Sequence, residues 1–214
     1  MKIKWYGHSC FLLTAANGAR FLTDPCDGTT GYTLRNIETD AVTVSHSHFD
    51  HNYLPAALGE PKVFDAEGEY SFLGVDLKAV HTWHDEKQGA LRGPNLVFVF
   101  SMDGLTVAHL GDLGHIPDAE TAKKIGPVDV LLVPIGGVYT IDAQGARGVA
   151  DLLQPKVIIP MHYKTKDLKM DLAGVEPFLS EMQDRSIHRL SECEITLTPD
   201  SLGNGRVLLP DYAK

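Results

Sequence analysis

The residues best suited to chemistry in this 214-residue chain form one short run, His46-Ser47-His48-Phe49-Asp50-His51. Imidazole and carboxylate in such density suit a divalent metal, because neutral imidazole and carboxylate oxygen ligate Zn²⁺, Mn²⁺ and Fe²⁺. In an extended or turning chain His46 and His48 project to one side and can grip one ion. Asp50 and His51 come after the turn and can reach a second. A solvated turn would favour Gly, Ser and Asn over imidazole. Two ions about 3.5–4 Å apart can share a water and lower its pKa from about 15.7 towards 7, producing a hydroxide that attacks a carbonyl or phosphoryl centre.

Three further polar positions follow apolar runs in the same manner. His84-Asp85 comes after the alternation Val75–Val80. Asp112 follows Leu105–His109, behind a glycine that permits close backbone approach. His162 follows Val157–Ile159. Ligand sites in α/β folds gather at the carboxyl ends of strands, so all four candidate positions are expected along one sheet edge.

The elements that must hold them read mainly as strands. Lys2–Tyr6, Cys10–Thr14, Arg20–Thr23, Ala41–Ser45 and Pro61–Phe64 are short β-prone runs, and Asn52–Leu58 reads as a short helix. Val75–Val80, Asn95–Ser101, Leu105–Leu110, Val128–Pro134 and Lys156–Pro160 continue the strands. Pro117–Ile125, Ile141–Leu153 and Val175–Met182 read as helices, the second opened by Asp142 and buried through Ile141, Val149, Leu152 and Leu153. Glu194–Leu197 and Arg206–Leu209 read as edge strands. Each half thus offers strands followed by helices, without a sequence repeat, and no linker divides the chain. A single layered α/β domain over residues 1–214 is expected.

Composition narrows the function classes. The net charge of −9 repels polyanions, and no Lys/Arg stripe tracks a phosphate backbone, so a small-molecule substrate is expected and nucleic acid is not. No apolar run approaches the roughly 18 residues of a membrane span. The chain starts directly in polar/apolar alternation with no signal segment, so a cytoplasmic location is expected. Cys10, Cys26 and Cys193 are scattered and odd in number, which suggests small buried apolar residues, not a disulfide framework or a zinc-thiolate site. A homo-oligomer remains open.

The run His46 to His51 matches H-x-H-x-D-H, and with His84, Asp112 and His162 the sequence resembles the metallo-β-lactamase superfamily. Gly7-His8-Ser9-Cys10-Phe11, His84-Asp85, Arg92-Gly93-Pro94-Asn95, His109 to His115 and Pro160-Met161-His162-Tyr163 resemble a branch of small metal-dependent hydrolases similar to the ascorbate-phosphate lactonase group. The resemblance runs from about Lys2 to about Leu209. It implies a four-layer αβ/βα sandwich with the site along one edge of the sheets. It also implies His46, His48 and His84 on one metal, Asp50, His51 and His162 on the other, and Asp112 bridging. His81 competes for the place of His84; Asp85 beside His84 matches the close branch and favours the latter.

The resulting expectation is a hydrolase of a small ester, lactone or phosphate-bearing metabolite, with two divalent ions, Zn²⁺ first and Mn²⁺ or Fe²⁺ next. Asp50 would both ligate and accept a proton, and His115 and Tyr163, each near a ligand, are candidate donors to the leaving group. His8 is a candidate to orient a ligand. His109 is expected to be buried and hydrogen-bonded. Arg92, Lys164 and Lys166 are candidates for an anionic substrate group. A phosphodiesterase or nuclease, and a metal-binding sensor or scaffold without turnover, are the competing readings. A β-lactam-degrading role is disfavoured by the lack of a signal, and a redox diiron variant by His48, where Glu would be expected.

Overall fold

A computed structural model describes all 214 residues, Met1–Lys214. The first half contains β1 (Lys2–Trp5), β2 (Phe11–Thr14), β3 (Arg20–Thr23), β4 (Ile37–Glu38), β5 (Ala41–Thr43), β6 (Ala57–Leu58) and β7 (Lys62–Phe64). It continues with β8 (Gly68–Phe72), β9 (Val75–Trp83), β10 (Pro94–Met102) and β11 (Leu105–His109). The rest comprises α1 (Ala119–Ile125), β12 (Val130–Pro134), α2 (Ala143–Leu153), β13 (Val157–Met161), α3 (Glu176–Glu181), β14 (Ile187–Arg189), β15 (Glu194–Thr196) and β16 (Arg206–Leu209).

Two mixed sheets result, ordered β15-β1-β2-β3-β5-β7 and β14-β16-β13-β12-β11-β10-β9-β8, with a small β4-β6 pair outside them. Aromatic side chains join their facing surfaces. Phe21 of β3 meets Phe100 of β10 edge-on at 5.7 Å, and both are fully buried. One contiguous cluster of 63 buried apolar residues fills the space between the sheets and beneath the helices. α1 packs on β9, α2 on β12, and α3 on α2, so these helices lie against the second sheet, consistent with the αβ/βα sandwich that the resemblance implied.

Strand direction decides where the polar residues go. β1 and β3 are each antiparallel to β2, and β3 is parallel to β5, so β1, β3 and β5 all end on one edge. β9 and β11 flank β10 antiparallel, and β11, β12 and β13 run parallel, so β9, β11 and β13 also share a direction. Backbone bonds from His162 N to the His8 carbonyl (3.2 Å) and from Leu96 N to the Ser45 carbonyl (2.9 Å) tie the two sheets together at that edge. The residues just past these strand ends therefore face one another.

Several expectations need correction. Asn52–Leu58 is not a helix: a single 3₁₀ turn at Leu54–Ala56, with Pro55 early in it, gives way to β6, which pairs in parallel with β4. All three α-helices consequently lie beyond Asp118, and the expectation of helices after the strands in each half fails for the first. Leu152 is exposed, and Ala146 and Ala150 share the buried face of α2 with Val149 and Leu153. β16 is not an edge strand, because Ile187–Arg189, too short and mixed to show period-two alternation, pairs outside it. Cys10 and Cys26 are buried, as expected, but Cys193 is only half-buried. Asp142 and Asp118 do cap their helices, accepting from Gly145 N (2.8 Å) and Thr121 N (2.7 Å).

Candidate metal centre

Six strand ends deliver the site. His8 follows β1, Asp24 follows β3, His46 follows β5, His84 follows β9, Asp112 follows β11 and His162 follows β13. The loop after His46 carries His48, Asp50 and His51 into the same space. His8 and His162 adopt left-handed backbone (φ 52° and 51°), which turns each chain sharply as it leaves its strand.

Ligand atoms form two outer groups and a third that links them, with all atoms in each within 4.8 Å of one another. The outer groups are His46, His48 and His84, and His8, Asp50, His51 and His162; the link is His46, His51 and Asp112. Asp112 stands between the outer groups. Its Oδ2 lies 3.2 Å from His84 Nε2, 3.8 Å from His46 Nε2 and 3.3 Å from His162 Nε2. Its Oδ1 lies 3.2 Å from His51 Nε2. The seven residues predicted to ligate thus converge, and His81 does not join them. Its ring stacks edge-on against Trp83 at 4.3 Å, on the flank of β9.

Metal fits this donor set on two grounds. His46 Nε2, His51 Nε2, both ring nitrogens of His162 and Asp112 Oδ1 are buried without a hydrogen-bond partner, a costly arrangement unless those atoms ligate. The protonation of His46 and Asp112 also suits the role. Burial, with help from His51, pushes the His46 imidazole down to about 3, so it is a neutral donor at working pH. Burial opposes ionisation of Asp112, yet His162 and His51 hold its carboxyl well below the ordinary carboxylate range.

A second ring of residues aims the ligands. Asp24 Oδ2 accepts from Ser45 Oγ (2.6 Å) and bonds His51 Nδ1 (2.9 Å), and Ser45 Oγ in turn contacts His46 Nδ1 (2.9 Å). Carboxylate and hydroxyl at the far nitrogens orient both rings with Nε2 inward. Asn95 Oδ1 accepts from Asp112 N (2.9 Å), and Asn95 Nδ2 donates to Thr82 Oγ1 and the Leu110 carbonyl. Asp24 was not singled out from sequence, and Asn95 entered as the last residue of the motif Arg92-Gly93-Pro94-Asn95, with no role assigned to it. Asp24 carried a usable signal, a charged residue immediately past an apolar strand, as at the other ligand positions. His8, flagged as an orienting residue, has its Nε2 3.1 Å from Asp50 Oδ2. His109 is buried, bonding the Ser9 carbonyl through Nε2 (2.8 Å) and accepting from Gly111 N through Nδ1 (3.2 Å).

The profile of the β-lactamase superfamily domain matches residues 2–162. A candidate zinc-dependent hydrolase of the metallo-β-lactamase superfamily from Thermotoga maritima is 40% identical, with TM-score 0.82 and 99% coverage of both chains. The chain belongs to the metallo-β-lactamase superfamily. A metal-dependent hydrolase of Carboxydothermus hydrogenoformans is 33% identical across 77% of this chain and 85% of its own length. Another, from Methanoregula boonei, is 32% identical across 94% of this chain and all of its own.

In this member of the superfamily a cleft of about 450 Å³ opens over the centre, lined by His48, Phe49, Asp50, His84, Arg92, Asp112, Tyr139 and Met170. Neither candidate proton donor lines it. Tyr163 is buried against Trp5 (5.5 Å between ring centres), and burial pushes its phenol far up. His115 accepts from Trp83 N (3.3 Å) and lines a separate cleft with His81 and Lys124. Both lie close to a ligand in sequence, but the chain turns after Asp112 and His162 direct their side chains elsewhere. Lys164 is also withdrawn from the list of anion-recognising residues, because its Nζ donates to the Leu168 and Met170 carbonyls (both 2.8 Å). Lys166 lines none of the clefts at the centre. A larger cleft of about 600 Å³ beside β8 and β9 holds no histidine, so the ligand set, not cavity size, locates the chemistry.

Proposed function

We propose that the protein is a metal-dependent hydrolase whose centre takes two divalent ions, zinc first in expectation, and acts on a small ester, lactone or phosphate-bearing metabolite. The observation that carries the dinuclear reading is the Asp112 carboxylate, whose two oxygens reach imidazoles of both ligand groups. A carboxylate so placed is built to bridge. When bound, such ions supply acidity to water near neutral pH and polarise an electrophilic oxygen.

The chain's own residues do the rest. Asp50 is fixed by His8 and lines the cleft, so one edge of its carboxylate faces the substrate space. Burial opposes its ionisation, but bonds from His51 and His8 hold it far below the ordinary carboxylate range. That makes Asp50 a firm ligand and an orienter of water, and only a transient proton acceptor. Phe49 and Met170 give the cleft apolar wall surface. The acidic chain, with net charge −9, disfavours a polynucleotide substrate.

Purified protein loaded with Zn²⁺ or Mn²⁺, assayed against lactones, esters and phosphodiesters, tests the substrate class. Two equivalents of metal per chain by plasma emission are expected. A single equivalent in fully active protein would overturn the dinuclear reading, and preference for bis(p-nitrophenyl) phosphate over every ester and lactone would overturn the substrate class.

A further inference from the structure

We infer that Arg92 is a specificity-determining residue of the cleft, and that the substrate carries an anionic carboxylate or phosphate group beside the bond that is broken. The inference rests on the hydrolase reading above and deepens it.

Charge pairing and position together set Arg92 apart: Arg35 and Arg206 also lack a carboxylate partner, but Arg92 is the arginine that lines the clefts at the metal centre. Arg20, Arg147, Arg185 and Arg189 each meet a carboxylate between 2.7 and 2.9 Å. Arg92 has no acidic partner; its Nη2 donates to the Val138 carbonyl at 3.3 Å, and its guanidinium lies over the Tyr139 ring at 5.6 Å. A guanidinium carries five N–H donors in a planar fork, and Arg92, which lines the cleft, spends one of them within the chain. The stacked phenol holds the fork in place at little cost to its charge.

Its position is coupled to the metal centre. The Asp85 carboxylate accepts from the backbone N–H of Lys87, Gly89, Leu91 and Arg92 at 2.7–3.1 Å, folding residues 85–92 around one side chain. His84 precedes that knot, and its N donates to the Gly93 carbonyl at 3.1 Å. Arg92 is therefore tied by backbone hydrogen bonds to the segment that carries the ligand His84. Arg92 borders both the cleft that holds Asp50 and Asp112 and the neighbouring one that holds His46. An unpaired, stacked and anchored guanidinium beside a metal centre, in a chain of net charge −9, is placed to recognise a planar or tetrahedral oxyanion. Phe49, at 56% exposure between two ligands, offers the carbon skeleton an apolar wall.

The test compares metal-loaded wild type with Arg92→Ala and Arg92→Lys on two esters differing in one terminal group, mono-4-nitrophenyl glutarate and 4-nitrophenyl pentanoate. The kcat/KM ratio of the anionic to the neutral ester is expected to fall at least about tenfold in Arg92→Ala, with KM carrying the loss. Arg92→Lys should recover part of it, because ammonium keeps the charge and lacks the fork. Calorimetric binding of phenylphosphonate and benzoate to the same proteins forms a second arm, and which binds tighter tells a tetrahedral from a planar anion. Metal content by plasma emission checks that the centre is intact in each variant. An unchanged ester ratio together with equal anion binding by wild type and Arg92→Ala overturns the assignment. Should neither ester turn over, the ester part of the substrate reading fails by itself, and the binding comparison still decides the role of Arg92.

Discussion

Asp24 and His51, twenty-seven positions apart in sequence, are joined by a 2.9 Å bond between Oδ2 and Nδ1 with both side chains fully buried. That bond fixes which ring nitrogen of His51 carries the proton and turns Nε2 towards Asp112, 3.2 Å away. Asp24 thereby acts on the metal centre without touching it.

Replacing Asp24 by Asn keeps the shape and removes the charge. Metal affinity should fall about 10–100-fold, the usual consequence of losing a carboxylate behind a ligating imidazole. Competition against a chromogenic chelator reads the change; affinity equal to wild type would show that the bond does not aim the ligand.

Replacing Asp112 by Ala should release at least one metal and abolish hydrolysis while far-UV circular dichroism stays that of the wild type. The side chain lies between two imidazole groups and packs no core volume of its own. Unchanged stoichiometry by plasma emission would remove Asp112 from its bridging place.

His81 and His84 separate cleanly. His84→Ala should lose metal from the group containing His46 and His48, and His81→Ala should keep the full complement. Equal loss from both, by the same measurement, would contradict the geometry.

Metal loading should release a proton. In the metal-free protein burial opposes the charged form of His51, but Asp112, Asp24 and Asp50 surround it and raise its pKa well above 6.5. The raised pKa favours the protonated imidazole, so an incoming ion must displace that proton from His51. Apparent affinity should drop about tenfold for each unit of acidification below that pKa. Calorimetry in buffers of different ionisation enthalpy counts the proton. Asp112→Asn, which removes one of the charges that raise the pKa, should diminish the count.

Gly114→Ala should disturb His84 from the far side. A Cβ at Gly114 would stand 2.3 Å from the His84 carbonyl carbon and 2.4 Å from its oxygen. Backbone cannot yield as a flexible side chain can, so a loss of about 1–3 kcal/mol in stability is expected. Chemical denaturation measures it, and weaker metal binding should accompany it.

The legible part of this protein was local. Three imidazoles and a carboxylate within His46 to His51 announce a metal wherever they fold, because their spacing alone puts them within reach of one another. The placement of Asp112 and His162 just beyond apolar runs was readable for a related reason: a strand buried on both faces can present a polar side chain only where it ends. His115 and Tyr163 misled because proximity in sequence says nothing about direction once a chain turns at a strand end.

The sequence by itself determined the ligand types, their position at strand ends and the strands that carry them, since these follow from short-range periodicity along one chain. Only the tertiary structure decided that His84 reaches the centre and His81 does not, that Asp24 backs His51, and that Arg92 remains unpaired at the mouth. Those facts depend on how two sheets register and face each other. That is settled by packing across the whole core, where contacts join residues whose separation along the chain carries no periodic signal.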